Sequence, residues 1–463
     1  MVKMLILLIL LLNALVIIWP LLPTRRKPRW IDFLPAIALG LCVLEFLLDE
    51  FSFRMIPVYV LTALVFLLTL RRLWRLSAEQ PKRRKLAIVV SLVGLFSLVQ
   101  SASLPLWILP FNPSPEPTGP YKVGTVTYAW GDTSRQEIYT DDPNDHRELP
   151  VQVWYPVDLA DAIGGDNVNA PVSAAQPSYP LIVFSPGAFG PRESNYSTYQ
   201  ELASHGYIVA GIDHTYQAAY ASFPDGRVIM IGAKFLEENQ IHNRVIFTDP
   251  VLDDQIIQDW LKMRLADLDF VVDQLAQVNR DDPQGLLTGR MDLERIGFAG
   301  HSLGGMAVSQ FCRQDLRCKA AINLDGPMYG DRISVNSSWE QTLVEPPFPK
   351  PLMIMYGMLY NDPQAYETIY LPNRKAVEQA TEPVYSLVFD TAGHMNFTDL
   401  PLISPALSAS LQGSGSIDAE RCIGIVNTYT LAFFDGHLKG QAAPLLDGPS
   451  PDYPEVTFTA HNN

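Results

Sequence analysis

The chain has 463 residues and a formal net charge of −15, spread very unevenly. Residues 1–117 hold 13 Lys/Arg against 6 Asp/Glu, and the remainder holds 21 against 43. So acidic a remainder repels phosphate backbones, which excludes nucleic acid as a partner, and the length allows a membrane part beside a large catalytic domain.

Four hydrophobic segments, at about 4–22, 31–48, 55–70 and 86–109, open the chain. Crossing the hydrocarbon takes about 20 mostly apolar residues, so residues 1–109 are expected to form about four transmembrane α-helices. The second carries Glu45 near its end and the third is short, so both lean on their neighbours. Residues 4–19 lack the small-residue cleavage pattern of a signal peptide. The basic loops TRRKPR (24–29) and RRLWRLSAEQPKRRK (71–85) belong on the cytoplasmic side, and the acidic loop 49–54 belongs opposite. Four spans then predict an integral, multi-pass protein whose chain beyond residue 110 is extracytoplasmic.

PFNPSPEPTGP (110–120) is an extended, Pro-rich linker and a boundary. From 121 to 440 short apolar runs alternate with helical ones. Strands are expected at 150–156, 179–186, 206–213, 295–300, 320–325, 351–357 and 384–390, and helices at 196–204, 252–278, 303–313 and 419–436. Near-continuous apolar strands separated by helices predict an α/β fold with a mostly parallel central sheet. Residues 157–177 and 217–250 read as irregular insertions, the second as a pocket cover or a surface loop. Residues 441–463 read as a C-terminal tail. There is no internal repeat.

The four cysteines are Cys42, in a hydrophobic run, and Cys312, Cys318 and Cys422. None has C-x-x-C spacing, so neither a zinc site nor a redox motif is expected. Buried free thiols are the plain expectation. Export would allow a Cys312–Cys318 or Cys312–Cys422 disulfide.

RIGFAGHSLGGMA (295–307) carries G-x-S-x-G between a strand and a helix. That context makes it a nucleophile elbow, with Ser302 raised above the sheet edge as in α/β-hydrolases. A hydroxyl needs a base, and in this fold the order is Ser, acid, His. His394 follows the strand 384–390 in VYSLVFDTAGHMNFTD and is the expected base. His301 is expected to point elsewhere. His205 and His214 read as structural or pocket-wall residues, and His437 and His461 lie too near the C-terminus. Two acids stand at strand ends, Asp325 and Asp362, and spacing leaves them even. The oxyanion hole needs two amides: Leu303, after the nucleophile, and one from IVFSPGAFGPR, with Ala188 first and Phe189 next. No metal is expected, since no H-E-x-x-H or EF-hand pattern occurs, and no cofactor.

TGPYKVGT, VQVWYP, FSPGAFG, GHSLGG, NLDG and GHMNFTD, in that order over about 118–440, resemble the platelet-activating factor acetylhydrolase family, plasma and intracellular type II. The resemblance implies the α/β-hydrolase fold, catalytic Ser302, Asp325 and His394, and oxyanion donors Ala188 and Leu303. It moves the acid to Asp325 over Asp362. It also implies calcium-independent cleavage of short or oxidised sn-2 acyl esters of phospholipids. Pro186 departs from the His common before the oxyanion glycine, and the N-terminal helices have no counterpart in the animal enzymes. The S-P-G turn is also similar to that of bacterial cutinases and polyester hydrolases.

The expected function is therefore a membrane-anchored serine ester hydrolase, with a lipid or small ester as substrate and the bilayer as partner. A cutinase- or polyesterase-like carboxylesterase is the alternative. A catalytically silent membrane receptor or scaffold is the reading from another class, and a complete, correctly ordered triad argues against it. The sequence leaves the oligomeric state open.

Overall fold

The computed structural model describes residues 2–22, 28–49, 55–74, 84–108, 114–162, 167–411, 413 and 415–461. The chain divides into two compact units, Met1–Asn112 with Ile403–Leu407, and Pro113–Leu402 with Ser408–Asn463.

The first unit contains α1 (Val2–Ile18), α2 (Leu34–Asp49), α3 (Ile56–Trp74) and α4 (Arg84–Ile108). Pro35 and Pro57 stand in the first turns of α2 and α3, where a missing N–H costs little. Leu7, Leu11, Leu64, Leu67, Val93 and Phe96 face outward, the pattern expected of helices solvated by lipid. Polar groups turn inward instead. Asn13 Nδ2 donates to Thr62 Oγ1 at 2.9 Å, and the Tyr59 hydroxyl donates to buried Glu45. Cross-helix hydrogen bonds of this kind hold helices together where apolar burial gives no drive.

All four expected helices are present, and among the described residues three stretches are long and apolar enough to cross a membrane: Met4–Leu21, Arg29–Leu47 and Ile56–Trp74. The described apolar stretch of α4 is Ile88–Ser103.

The second unit is built on a mixed sheet. Its strands are β1 (Lys122–Gln136), β2 (His146–Val157), β3 (Tyr179–Ser185), β4 (Ile208–Ile212), β5 (Tyr220–Ser222), β6 (Val228–Met230), β7 (Met291–His301), β8 (Cys318–Leu324), β9 (Arg332–Val335), β10 (Gln341–Leu343), β11 (Leu352–Tyr356), β12 (Val384–Phe389) and β13 (Val456–His461). Its helices are α5 (Tyr196–Ser204), α6 (Ala233–Val245), α7 (Pro250–Arg280), α8 (Leu303–Gln314), α9 (Pro363–Thr368), α10 (Leu371–Glu378) and α13 (Ala419–Lys439), and the short α11 (Leu400–Ile403) and α12 (Pro405–Ser410) fall where the division between the units runs through the chain.

Nine strands form one sheet in the order β1-β2-β4-β3-β7-β8-β11-β12-β13. From β4 to β12 neighbours are parallel. β2 runs against β4, β1 against β2, and β13 against β12. β3, β4 and β11 are buried throughout, which is why they read as continuous apolar runs. One face packs on α7 and α8 and the other on α5 and α13. Ile257, Trp260, Leu261, Leu268, Val271, Val272 and Leu275 form the inner stripe of α7. Burying each such side chain is worth about 1.5–3 kcal/mol. The Asp249 carboxylate caps the start of α7 through the Leu252 amide, and Pro250 fits its first turn.

Two expectations change. Residues 456–461, expected within a tail, are β13 and complete one edge of the sheet. The insertion 217–250 contains the β5–β6 hairpin and α6.

The cysteines also differ from the plain expectation. Cys312 at the end of α8 and Cys318 at the start of β8 form a disulfide with Cα atoms 5.2 Å apart, whereas Cys42 and Cys422 are buried free thiols. Six positions of separation suffice because the chain turns back sharply between helix and strand. Closing so short a loop is worth about 2 kcal/mol. Urea unfolding with and without dithiothreitol is expected to differ by about that amount, and identical curves would show that the bridge adds nothing.

Candidate active site

The turn from β7 into α8 gives Ser302 φ 54 and ψ −122, a conformation costly for a residue with a Cβ. The Ser302 amide donates to Leu324 O at 2.8 Å, and Ser302 O accepts from the Met306 amide at 2.9 Å. Gly304 is required here, because a Cβ on it would lie 1.8 Å from Ser185 O. The elbow therefore presses α8 against the end of β3.

Asp325 follows β8 and is also left-handed, with φ 55. Its amide donates to Met355 O at 2.8 Å. Asn323 locks the turn: its side chain accepts from the Gly326 amide at 2.8 Å and donates to Gly326 O at 2.9 Å. The carboxylate so aimed is almost wholly buried. Oδ1 accepts from the Gly357 amide at 2.7 Å, and Oδ2 accepts from His394 Nδ1 at 2.7 Å. In the neutral ring this bond places the proton on Nδ1 and leaves the Nε2 lone pair free. The His394 side chain is 39% exposed against 2% for Asp325, so an open imidazole stands on a shielded carboxylate. Burial and the nearby Asp325 charge push the Tyr370 phenol well above its usual value, so it stays neutral beside that carboxylate.

Asp362 is used differently. Its carboxylate caps α9, accepting from the Gln364 and Ala365 amides at 3.0 and 2.9 Å.

The loop after β3 meets the elbow directly. A Cβ on Gly187 would lie 3.1 Å from Ser302 Cβ and 2.9 Å from His301 Nδ1, so only glycine lets this backbone approach the serine. Phe189, at φ 64, donates its amide to Gln217 O at 2.9 Å and is occupied. The Ala188 and Leu303 amides have no acceptor among the described residues. Two unspent N–H donors thus stand on either side of Ser302.

His301 is the functional residue that the sequence reading missed. Its Nε2 donates to His394 O at 3.0 Å, and the two rings lie 4.5 Å apart. Burial, then the His394 charge, hold His301 well below the usual imidazole range, so it is a neutral strut under the base. The signal was its place inside the elbow motif itself. His205 bonds Thr118 and Glu201, His437 packs on Phe433, and His461 lies in β13. Among the described residues no group of three or more His, Cys, Asp or Glu is placed to hold a metal ion.

A mostly parallel sheet with a strained serine at its strand–helix turn, an imidazole on a buried carboxylate, and two free amides defines an α/β-hydrolase of the serine ester hydrolase class. Comparison with known proteins narrows this. The family model described as platelet-activating factor acetylhydrolase, isoform II, matches residues 158–443, and the chain belongs to that family. A probable 1-alkyl-2-acetylglycerophosphocholine esterase of Arthroderma benhamiae is 27% identical over 399 residues, 74% of this chain and 93% of that protein. The platelet-activating factor acetylhydrolase of Cavia porcellus is 25% identical, over 70% of this chain and 78% of its own. Among solved structures, a ferulic acid esterase from Streptomyces cinnamoneus is similar with a TM-score of 0.58 at 30% identity, covering 75% of this chain and 98% of that one. The protein is a carboxylic ester hydrolase.

Replacing His301 with Phe keeps an aromatic ring, somewhat larger, and removes the donor to His394 O. The expected loss is about tenfold in kcat, the equivalent of one hydrogen bond of ~1.4 kcal/mol, with KM little changed. Steady-state hydrolysis of p-nitrophenyl acetate measures it, and an unchanged kcat would remove His301 from the site.

Proposed function

We propose that Ser302, His394 and Asp325 form the catalytic triad and that Ala188 and Leu303 form the oxyanion hole. The observation that carries this reading is the 2.7 Å bond from His394 Nδ1 to Asp325, beside a serine held in the elbow conformation. His394 Nε2 takes the Ser302 proton as Oγ attacks the ester carbonyl. The carbonyl oxygen becomes an oxyanion and accepts from the two amides, each worth about 10²–10³ in rate in comparable enzymes. His394 then protonates the leaving alcohol, and an acyl-enzyme remains. Water, deprotonated by His394, attacks it and releases the carboxylic acid and free Ser302. Asp325 fixes the ring and stabilises its cationic form.

The substrate we propose is a short or oxidised sn-2 acyl ester of a phospholipid. Its support is the family and the names of the Arthroderma and Cavia relatives, together with apolar N-terminal helices that would keep the enzyme at a lipid surface. The ferulic acid esterase likeness and the S-P-G turn favour a second reading, a carboxylesterase of cutinase or polyesterase type acting on other esters. A chain-length series of sn-2 acyl phospholipids beside aryl esters and polyesters separates the two. Preference for a short sn-2 chain supports the first, and preference for aryl or polymeric esters supports the second.

We also propose that the chain is a multi-pass membrane protein with its catalytic unit outside the cytoplasm. The basic loops support this, and so does the Cys312–Cys318 disulfide, because such bridges persist in oxidising compartments. That side requires α4 to cross as well. Proteolysis of intact cells is expected to digest the catalytic unit, and digestion only after lysis would reverse the orientation.

Ser302→Ala is expected to cost about 10⁶-fold in kcat and Asp325→Asn about 10⁴-fold. Asp362→Asn is expected to leave turnover near wild type and the cap of α9 nearly intact, since an Asn side-chain oxygen accepts from the same amides. Steady-state kinetics with thermal melts read all three. Turnover surviving in Ser302→Ala, or a large loss only in Asp362→Asn, would overturn the assignment.

A further inference from the structure

Beneath the loop that carries Ala188 lies a buried polar network in which one cation is placed unusually. Arg147, from β2, pairs with Asp267 at 2.7 Å and Glu137 at 2.9 Å. Arg264, one turn before Asp267 on α7, is equally buried, yet forms no ion pair among the described residues. Its donors go to neutral oxygens instead. Nη1 donates to Pro186 O at 2.8 Å and to Ser185 Oγ at 3.4 Å, Nη2 to Gly187 O at 3.4 Å, and Nε to the Gln217 side chain. Burial pulls the guanidinium down, to about 9, and leaves it charged at neutral pH.

The rest of the network supports the same loop. His214 bridges Asp267, through Nδ1 at 2.8 Å, and Ser185 Oγ, through Nε2 at 2.9 Å. Ser185, His214 and Asp267 thus repeat the order hydroxyl, imidazole, carboxylate, but Ser185 is wholly buried and no substrate reaches it. This set is a strut. Gln217 serves both sides of the loop: its backbone oxygen accepts from the Phe189 amide, and its side chain accepts from Arg264.

The Gly187 carbonyl and the Ala188 amide are the two ends of one planar trans peptide. Whatever fixes that oxygen fixes the N–H on the opposite side. A cation at the oxygen also polarises the peptide and strengthens its N–H as a donor.

We propose that Arg264 is a positioning residue for the oxyanion hole, its buried guanidinium clamping the Pro186 and Gly187 carbonyls so that the Ala188 N–H is aimed and polarised toward the oxyanion. The proposal rests on the reading of Ala188 as an oxyanion donor. It explains why a buried cation is kept off carboxylates: a direct ion pair would spend the donors and neutralise the field that the loop needs.

The test compares p-nitrophenyl acetate with its thiono analogue, whose developing sulfur anion accepts hydrogen bonds weakly. The full chain in detergent is used throughout. Wild type is expected to favour the oxo ester. Arg264→Met is expected to lower kcat on the oxo ester about 10–100-fold, part of the value of one oxyanion donor, with KM nearly constant and a much smaller loss on the thiono ester. Arg264→Lys is expected to recover part of the oxo rate. Gln217→Met, which frees the guanidinium at one end, is expected to move the ratio in the same direction, and it decides the matter should Arg264→Met fail to fold. Equal losses on both esters, or none, in the folded variants would overturn the role of Arg264. Absence of an oxo preference in wild type would instead remove the Ala188 reading on which it stands.

Discussion

The site depends on backbone hydrogen bonds that continue the parallel ladder past the ends of its strands. Ser302 leaves β7 and Asp325 leaves β8 in left-handed conformations. Each amide is nevertheless held by the neighbouring strand, Ser302 by Leu324 O and Asp325 by Met355 O. Two adjacent strands so end in strained turns stacked side by side, and the sheet beneath them over-determines both. Because β7, β8 and β11 are neighbours in fixed register, Ser302 and Asp325 are set by the geometry of the sheet. Only the imidazole arrives from a loop.

That division of labour explains the remaining supports. A loop-borne His394 needs fixing at more than one point. It has the Asp325 carboxylate on its ring and His301 on its carbonyl. The loop bearing Ala188 likewise lacks a ladder. It is tied through Phe189 to Gln217 and from beneath by Arg264. Rigid elements carry the strained residues, and buried polar groups hold the irregular ones.

Much of this was legible in the sequence because strand runs and short motifs are local. The helix expected over 196–204 has those bounds in the structure, and G-x-S-x-G placed Ser302 at a strand–helix turn. What was not legible depends on pairing across the chain. Asp325 and Asp362 looked equal by spacing, with the family resemblance alone favouring Asp325, and in the structure Asp325 meets His394 while Asp362 caps α9. β13 alternates buried and exposed residues at one edge of the sheet, a weaker signal than a continuous apolar run. The Cys312–Cys318 bridge stayed one of two possible pairings beside free thiols, because its closeness comes from a reversal between α8 and β8 that residue types do not announce.

The backbone of Ser302 sets stability against chemistry. Its φ of 54 with ψ of −122 is ground that glycine occupies freely and serine holds at a cost of about 1–3 kcal/mol. The most stable residue for position 302 is therefore glycine, which has no hydroxyl. On the role proposed for Ser302, the domain carries that strain in exchange for its nucleophile.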